Sequence, residues 1–163
     1  GTDYHYPETK PGTYRPRISL PRTHVHARNL SAGAILEAVQ QHRAYVGMGE
    51  TTLTFAAQHG DQVYGIGSDL GRVQGVVTFE VTVNADQPAG CAQLLKNGEV
   101  VAEAEIVSGR AHAQWWSELN ADEPAWFRCD VRDREDRYLA VTNPVFAGPR
   151  REPTLYRFGD FLV

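Results

Sequence analysis

The sequence predicts a mainly β chain, an antiparallel β-sandwich carrying one N-terminal amphipathic helix. Two observations set that class. From residue 51 onward the apolar period is two, and eight short runs of this kind recur at regular spacing between turn residues. Before residue 51, a single segment repeats its apolar residues at three- and four-residue spacing, the period of a helix.

At the start of the chain, residues 1–22 are punctuated by Pro7, Pro11, Pro16 and Pro21. Each removes a backbone donor and biases the residue before it away from helix, so this stretch is expected to be extended. Residues 23–27 (THVHA) have the character of a short strand. Asn29 or Ser31 can cap a helix, and Ala34, Ile35, Ala38, Val39, His42 and Tyr45 then fall on one stripe. A helix over 31–44 is expected, with His42 packing on or beside that stripe. Strands are expected at 52–57, 63–66, 76–85, 92–96, 100–107, 111–116, 125–133 and 138–142, an Ig-like or jelly-roll-like pattern. Within VTFEVTVNA, Val77, Phe79, Val81 and Val83 share one face and Thr78, Glu80 and Thr82 the other, as a sheet with one wet side requires. The strongest turn is Asn97-Gly98, because both central residues of a type I′ hairpin need positive φ. The tail GPRREPTLYRFGDFLV ends in Leu155, Tyr156, Phe158, Phe161, Leu162 and Val163, too many apolar side chains to leave in water. It is expected to dock as a strand or pack on the sheet.

Composition narrows the function classes. The 163 residues are 42% hydrophobic and 22% charged, which suits one core and excludes a disordered chain. A formal charge of −4 with dispersed basic residues gives no nucleic-acid footprint. No stretch approaches the roughly 18 apolar residues of a membrane helix, so the chain is expected to be soluble, with its compartment unread. Cys91 and Cys129 cannot make a disulfide framework. Both lie in strand-like runs, where free buried thiols are the expectation and one bridge the alternative.

Few residues carry chemistry on their own. Asp3 and His5 lie two apart, which on an extended segment points both side chains the same way and lets them share a divalent metal. Two ligands do not hold a metal alone. His24 and His26 repeat the spacing in HVH, a pattern open to zinc and to a plain strand alike. His59, in the turn-rich HGDQ, and His112, beside the tryptophans, have no partner visible in the sequence. There is no G-x-S-x-G and no C-x-x-C, and GIGSDLG at 65–71 lacks the lysine of a phosphate loop and reads as a β-turn. Trp115 and Trp116 are neighbours on a strand, so at most one is inside. The other offers a surface for stacking on a ligand or covering an interface, and Trp126 is a third such candidate.

Five motifs occur in a set order: GTDYH at 1–5, THVHARNLSAGAILEAVQQHRAYVGMG at 23–49, LLKNGEVV at 94–101, WFRCDVRD at 126–133 and LAVTNPVF at 139–146. Together, over most of the chain, they resemble the C-terminal part of metallohydrolases of the PHP superfamily (polymerase and histidinol phosphatase type), in the carbaryl-hydrolase-like CehA/McbA branch. The resemblance implies a distorted β/α barrel that holds divalent metals and whose final strand ends in G-[ST]-D-x-H. Gly1, Thr2, Asp3 and His5 match that signature, so Asp3 and His5 are implied as the barrel's last two metal ligands. Residues 1–22 are then the extended remnant of the last barrel strand and its linker, and 23–163 a helix plus β-sandwich C-terminal domain. The remaining ligands, an early H-x-H among them, would lie before Gly1. His24-Val25-His26 is not that motif, since it lies after the D-x-H.

The chain opens at Gly1 without a readable charged-then-apolar leader and is expected to be a piece of a larger enzyme. The implied function is a non-catalytic module that supports the barrel, substrate access or oligomerisation. The parent would hydrolyse phosphate, carbamate or carboxylic esters. Such hydrolysis needs several ligands around its metal. The cofactor, Zn, Mn or Fe, therefore belongs to the parent and is not expected to be held tightly by this chain. The implied partner is the barrel, with self-association through the face it would cover and no role for nucleic acid or membrane. Two other readings stand beside this one: a carbohydrate-binding sandwich using Trp115 or Trp116, and a small metal-binding protein using His24 and His26, with or without Asp3 and His5, in a site formed between chains.

Overall fold

A computed structural model describes residues 21–85 and 89–150. The expectations placed on Asp3, His5 and the aromatic tail lie outside these residues. The described elements are β1 Arg22–Val25, α1 Ala32–Gln40, β2 Ala44–Gly47, β3 Thr52–His59, β4 Gln62–Gly65, β5 Gly75–Asn84, β6 Ala89–Lys96, β7 Glu99–Glu105, β8 Arg110–Leu119, β9 Ala125–Asp133, β10 Tyr138–Thr142 and β11 Val145–Ala147. They form two antiparallel sheets and one short helix. One sheet runs β1-β2-β10-β9-β6-β7, with β11 paired to the start of β9, and the other runs β4-β3-β5-β8.

The period-two pattern accounts for this sandwich-like arrangement. Val77, Phe79, Val81 and Val83 on β5 are fully buried, as are Cys129 and Val131 on β9, with Phe127 nearly so. The Phe79 and Phe127 rings meet across the layers with centroids 4.3 Å apart. Each such side chain contributes about 1.5–3 kcal/mol by leaving water. The Asn97-Gly98 turn has φ values of 52° and 97°, the positive pair that a type I′ hairpin requires. It is also tied to β9, since the Trp126 amide donates to Asn97 Oδ1 at 2.9 Å and the Asn97 amide donates to the Trp126 carbonyl at 3.0 Å. Both cysteines are free, Cys129 in the core and Cys91 half-buried on β6. Burial pushes the Cys129 thiol up to about 12, the value of an inert core group.

The helix differs from its expected bounds. Ser31 caps it, its hydroxyl accepting from the Ala34 amide at 3.3 Å, but it ends at Gln40 rather than 44. His42 takes φ 57° and turns the chain into β2. The reason is tertiary. Tyr45, whose spacing continues the helical stripe, is buried in the core and its hydroxyl accepts from the Leu53 amide at 3.4 Å. His42 is therefore exposed, not packed on a helix stripe, and its carbonyl accepts from Asn143 Nδ2 at 3.0 Å. The GIGSDLG loop is stitched to β11: the Phe146 amide donates to Ser68 O at 2.9 Å, and the Leu70 amide to Phe146 O at 2.8 Å. Gly67 within it has φ 84°, and a Cβ there would lie 2.3 Å from the Gln41 carbonyl oxygen. Among the described residues no helix is long and apolar enough to cross a membrane.

Candidate functional site

The tryptophan pair divides as strand geometry demands. Trp115 lies opposite Phe79 in the β5–β8 register and packs half-buried against the core. Trp116 lies opposite Thr78, points away from the core and is 73% exposed. Strand register places Val63, Gln58, Thr78 and Trp116 in one cross-strand row, with Gln114 and Glu118 two positions either side of Trp116 on the same face. His112 Nδ1 sits 3.2 Å from Thr82 Oγ1 and 3.8 Å from Glu80 Oε1, and His59 Nδ1 3.3 Å from the Val76 carbonyl. These are partners that the sequence does not reveal.

The HVH histidines surround an aromatic ring. His24 is directly opposite Tyr45 in the β1–β2 register and stacks on it, with centroids 4.4 Å apart and planes 3° off parallel. His26 meets the same ring edge-on at 5.8 Å. Burial, then the neighbouring His24 and Arg43, holds the His26 imidazole below its ordinary pKa. Among the described residues no group of three or more His, Cys, Asp or Glu side chains is placed to hold a metal. The described donor set thus does not fit a resident ion, and Asp3 and His5 lie outside it.

The outward face of β9 carries a feature not read from the sequence. Phe127, Cys129 and Val131 point to the core, so Trp126, Arg128, Asp130 and Arg132 line the other face. Asp130 is fully buried on that face. Arg128 Nη2 donates to its Oδ2 at 3.0 Å, Arg128 Nε lies 2.9 Å from its Oδ1, and Arg132 Nη2 lies 4.0 Å from Oδ2. Arg128 lies over the Trp126 ring at 5.7 Å, and Arg132 over the Tyr138 ring at 3.5 Å. The result is a ladder, Trp126–Arg128–Asp130–Arg132–Tyr138, with aromatic rings closing both ends. Burial raises the Asp130 carboxyl above its usual range, and Arg128 pulls it partly back. The every-second-residue order in WFRCDVRD is the signal that could have found it.

Trp126 and Phe146 line two adjoining concavities. The larger, of about 680 Å³, also takes in Asn97, Asp69, Pro149 and Arg150. The smaller, of about 420 Å³, takes in Val46, Val141 and Arg128. The charged groups of this groove are committed to each other: Arg150 Nε donates to Asp69 Oδ2 at 2.6 Å, and Arg128 faces Asp130. The groove accordingly offers apolar and aromatic contact.

A further surface lies on α1. At about 100° per residue, Ala38, Ile35, Val39 and Leu36 sweep a continuous apolar arc of about 160° around the helix. Only its Ala38 edge is fully buried, whereas Val39 is 49% and Leu36 62% exposed, with Leu30 just before the helix at 97%. Comparison with protein-family models, with curated proteins and with solved structures returns no match to this chain.

Proposed function

We propose that the chain is a non-catalytic β-sandwich module, Ig-like or jelly-roll-like in type, that buttresses the barrel of a PHP-type metal-dependent hydrolase. The observation that carries this reading is the open apolar arc on α1. It lies on α1, the first helix among the described residues, which follows in sequence the segment holding Asp3 and His5, the residues implied as the barrel's last ligands. Covering Leu36, Val39 and Leu30 would contribute about 1.5–3 kcal/mol for each side chain fully removed from water. In the assembled enzyme the metals would lower the pKa of a bound water and polarise an ester or phosphoryl oxygen. Asp3 and His5 would supply two ligands, and the described residues would supply rigidity and surface.

The test is metal content and turnover of the chain alone. After loading with Zn²⁺, Mn²⁺ or Fe²⁺ and desalting, it should retain substoichiometric metal and hydrolyse no aryl phosphate, carbamate or carboxylic ester. Turnover accompanied by one tightly held ion per chain overturns the reading.

A second reading is favoured by one observation, the exposure of Trp116 between Gln114 and Glu118. A pyranose could stack on the indole while these side chains hydrogen-bond its hydroxyls. Under this reading tryptophan emission responds to a glycan titration and the response is lost in Trp116→Ala; a flat titration removes it.

A further inference from the structure

We propose that the groove at Trp126 and Phe146 is occupied by the C-terminal segment of this same chain, residues 151–163. The described chain ends at this groove, for Pro149 and Arg150 are themselves part of its wall. Arg150 is pinned there by Asp69 at 2.6 Å, and the Gly148 amide donates to Gly71 O at 2.7 Å. Gly148 has φ 84°, and a Cβ on it would meet the Glu123 carbonyl oxygen at 2.2 Å, so the backbone just before Pro149 and Arg150 is held closely against the fold. The segment therefore begins at the groove's mouth.

The composition of residues 151–163 matches what the groove lacks. Six residues beyond Arg150 reach at most about 20 Å, which brings Leu155 and Tyr156 within range of Phe146 and Trp126. Phe146 is 39% exposed, and the groove's charged side chains are already paired, so an apolar occupant suits it better than an anion. The segment supplies Leu155, Tyr156, Phe158, Phe161, Leu162 and Val163 within thirteen residues. A tethered occupant competes at an effective concentration in the millimolar range, far above a second copy in dilute solution. The inference is independent of the barrel, which concerns α1.

The test uses the full chain labelled with 5-fluorotryptophan, whose three ¹⁹F lines are assigned by single Trp→Phe replacements. In Tyr156→Ser/Phe158→Ser, the Trp126 line should move and broaden more with a soluble gadolinium chelate, while the Trp115 and Trp116 lines stay put. In the unsubstituted chain, nuclear Overhauser contacts should join the Trp126 ring to Tyr156 or Phe158 whether or not the double variant folds. An unmoved Trp126 line, absent contacts, or a Trp126 position that depends on protein concentration, the mark of a second copy, each overturns the proposal.

Discussion

Adjacent residues with the same side chain have opposite roles on β8. Trp115 packs against the core and Trp116 faces water, so the two should separate in a stability measurement. Trp115→Ala should lower the unfolding free energy by about 2–4 kcal/mol, whereas Trp116→Ala should stay within about 0.5 kcal/mol, both read by urea denaturation. The alternation is legible in the sequence because strand geometry permits no other division. Which tryptophan is inside is not legible, since that depends on Phe79 lying opposite Trp115. His26 gives a second residue-scale expectation. Because the folded chain disfavours its imidazolium, the unfolded chain takes up the proton first as pH falls below about 6.5. Stability is full above that value and falls below it. The melting temperature should drop between pH 7.5 and 5.5, and the drop should be smaller in His26→Gln.

The eight strands expected from period-two patterning all form, with ends shifted by up to three residues. Long alternating runs reveal themselves because every second side chain must be apolar. Three described strands lie outside that pattern: β1, expected from its composition, and β2 and β11, not expected at all, which have only four and three residues, too short for a period to show. β2 is also concealed by Tyr45, whose spacing continues the helical stripe while its ring belongs to the core. The join between α1, the 65–71 loop and β11 depends on Gly67, a dependence that lies in backbone approach and leaves no trace in hydropathy. Gly67→Ala should cost about 3 kcal/mol or more through positive φ and the clash with the Gln41 carbonyl. The mutation should act without altering the helix cap at Ser31, and circular dichroism with urea titration checks both. By contrast Leu36→Glu/Val39→Glu on the open arc should change stability by less than about 1 kcal/mol. A larger loss would mean that these side chains are already covered within the chain.

At the scale of the whole molecule, two layers with one core present three distinct outward surfaces: the Trp116 row, the Trp126 groove and the α1 arc. In the sequence, the tryptophan pair marks the first of these as a site. The groove and the ladder beneath it arise from β9, β10 and β11 meeting, which a linear pattern does not display. The α1 arc is visible as a helical stripe, but a stripe does not say which part of it finds a partner within the same chain. The partner proposed for its open part is a barrel joined through residues 1–22. Hydrogen exchange across Ala32–Gln40 tests this most directly, comparing this chain alone with a longer protein in which a PHP-type barrel is joined to it through residues 1–22. Markedly slower exchange of α1 in the longer protein is the expected result. Equal exchange in both would contradict the barrel's role.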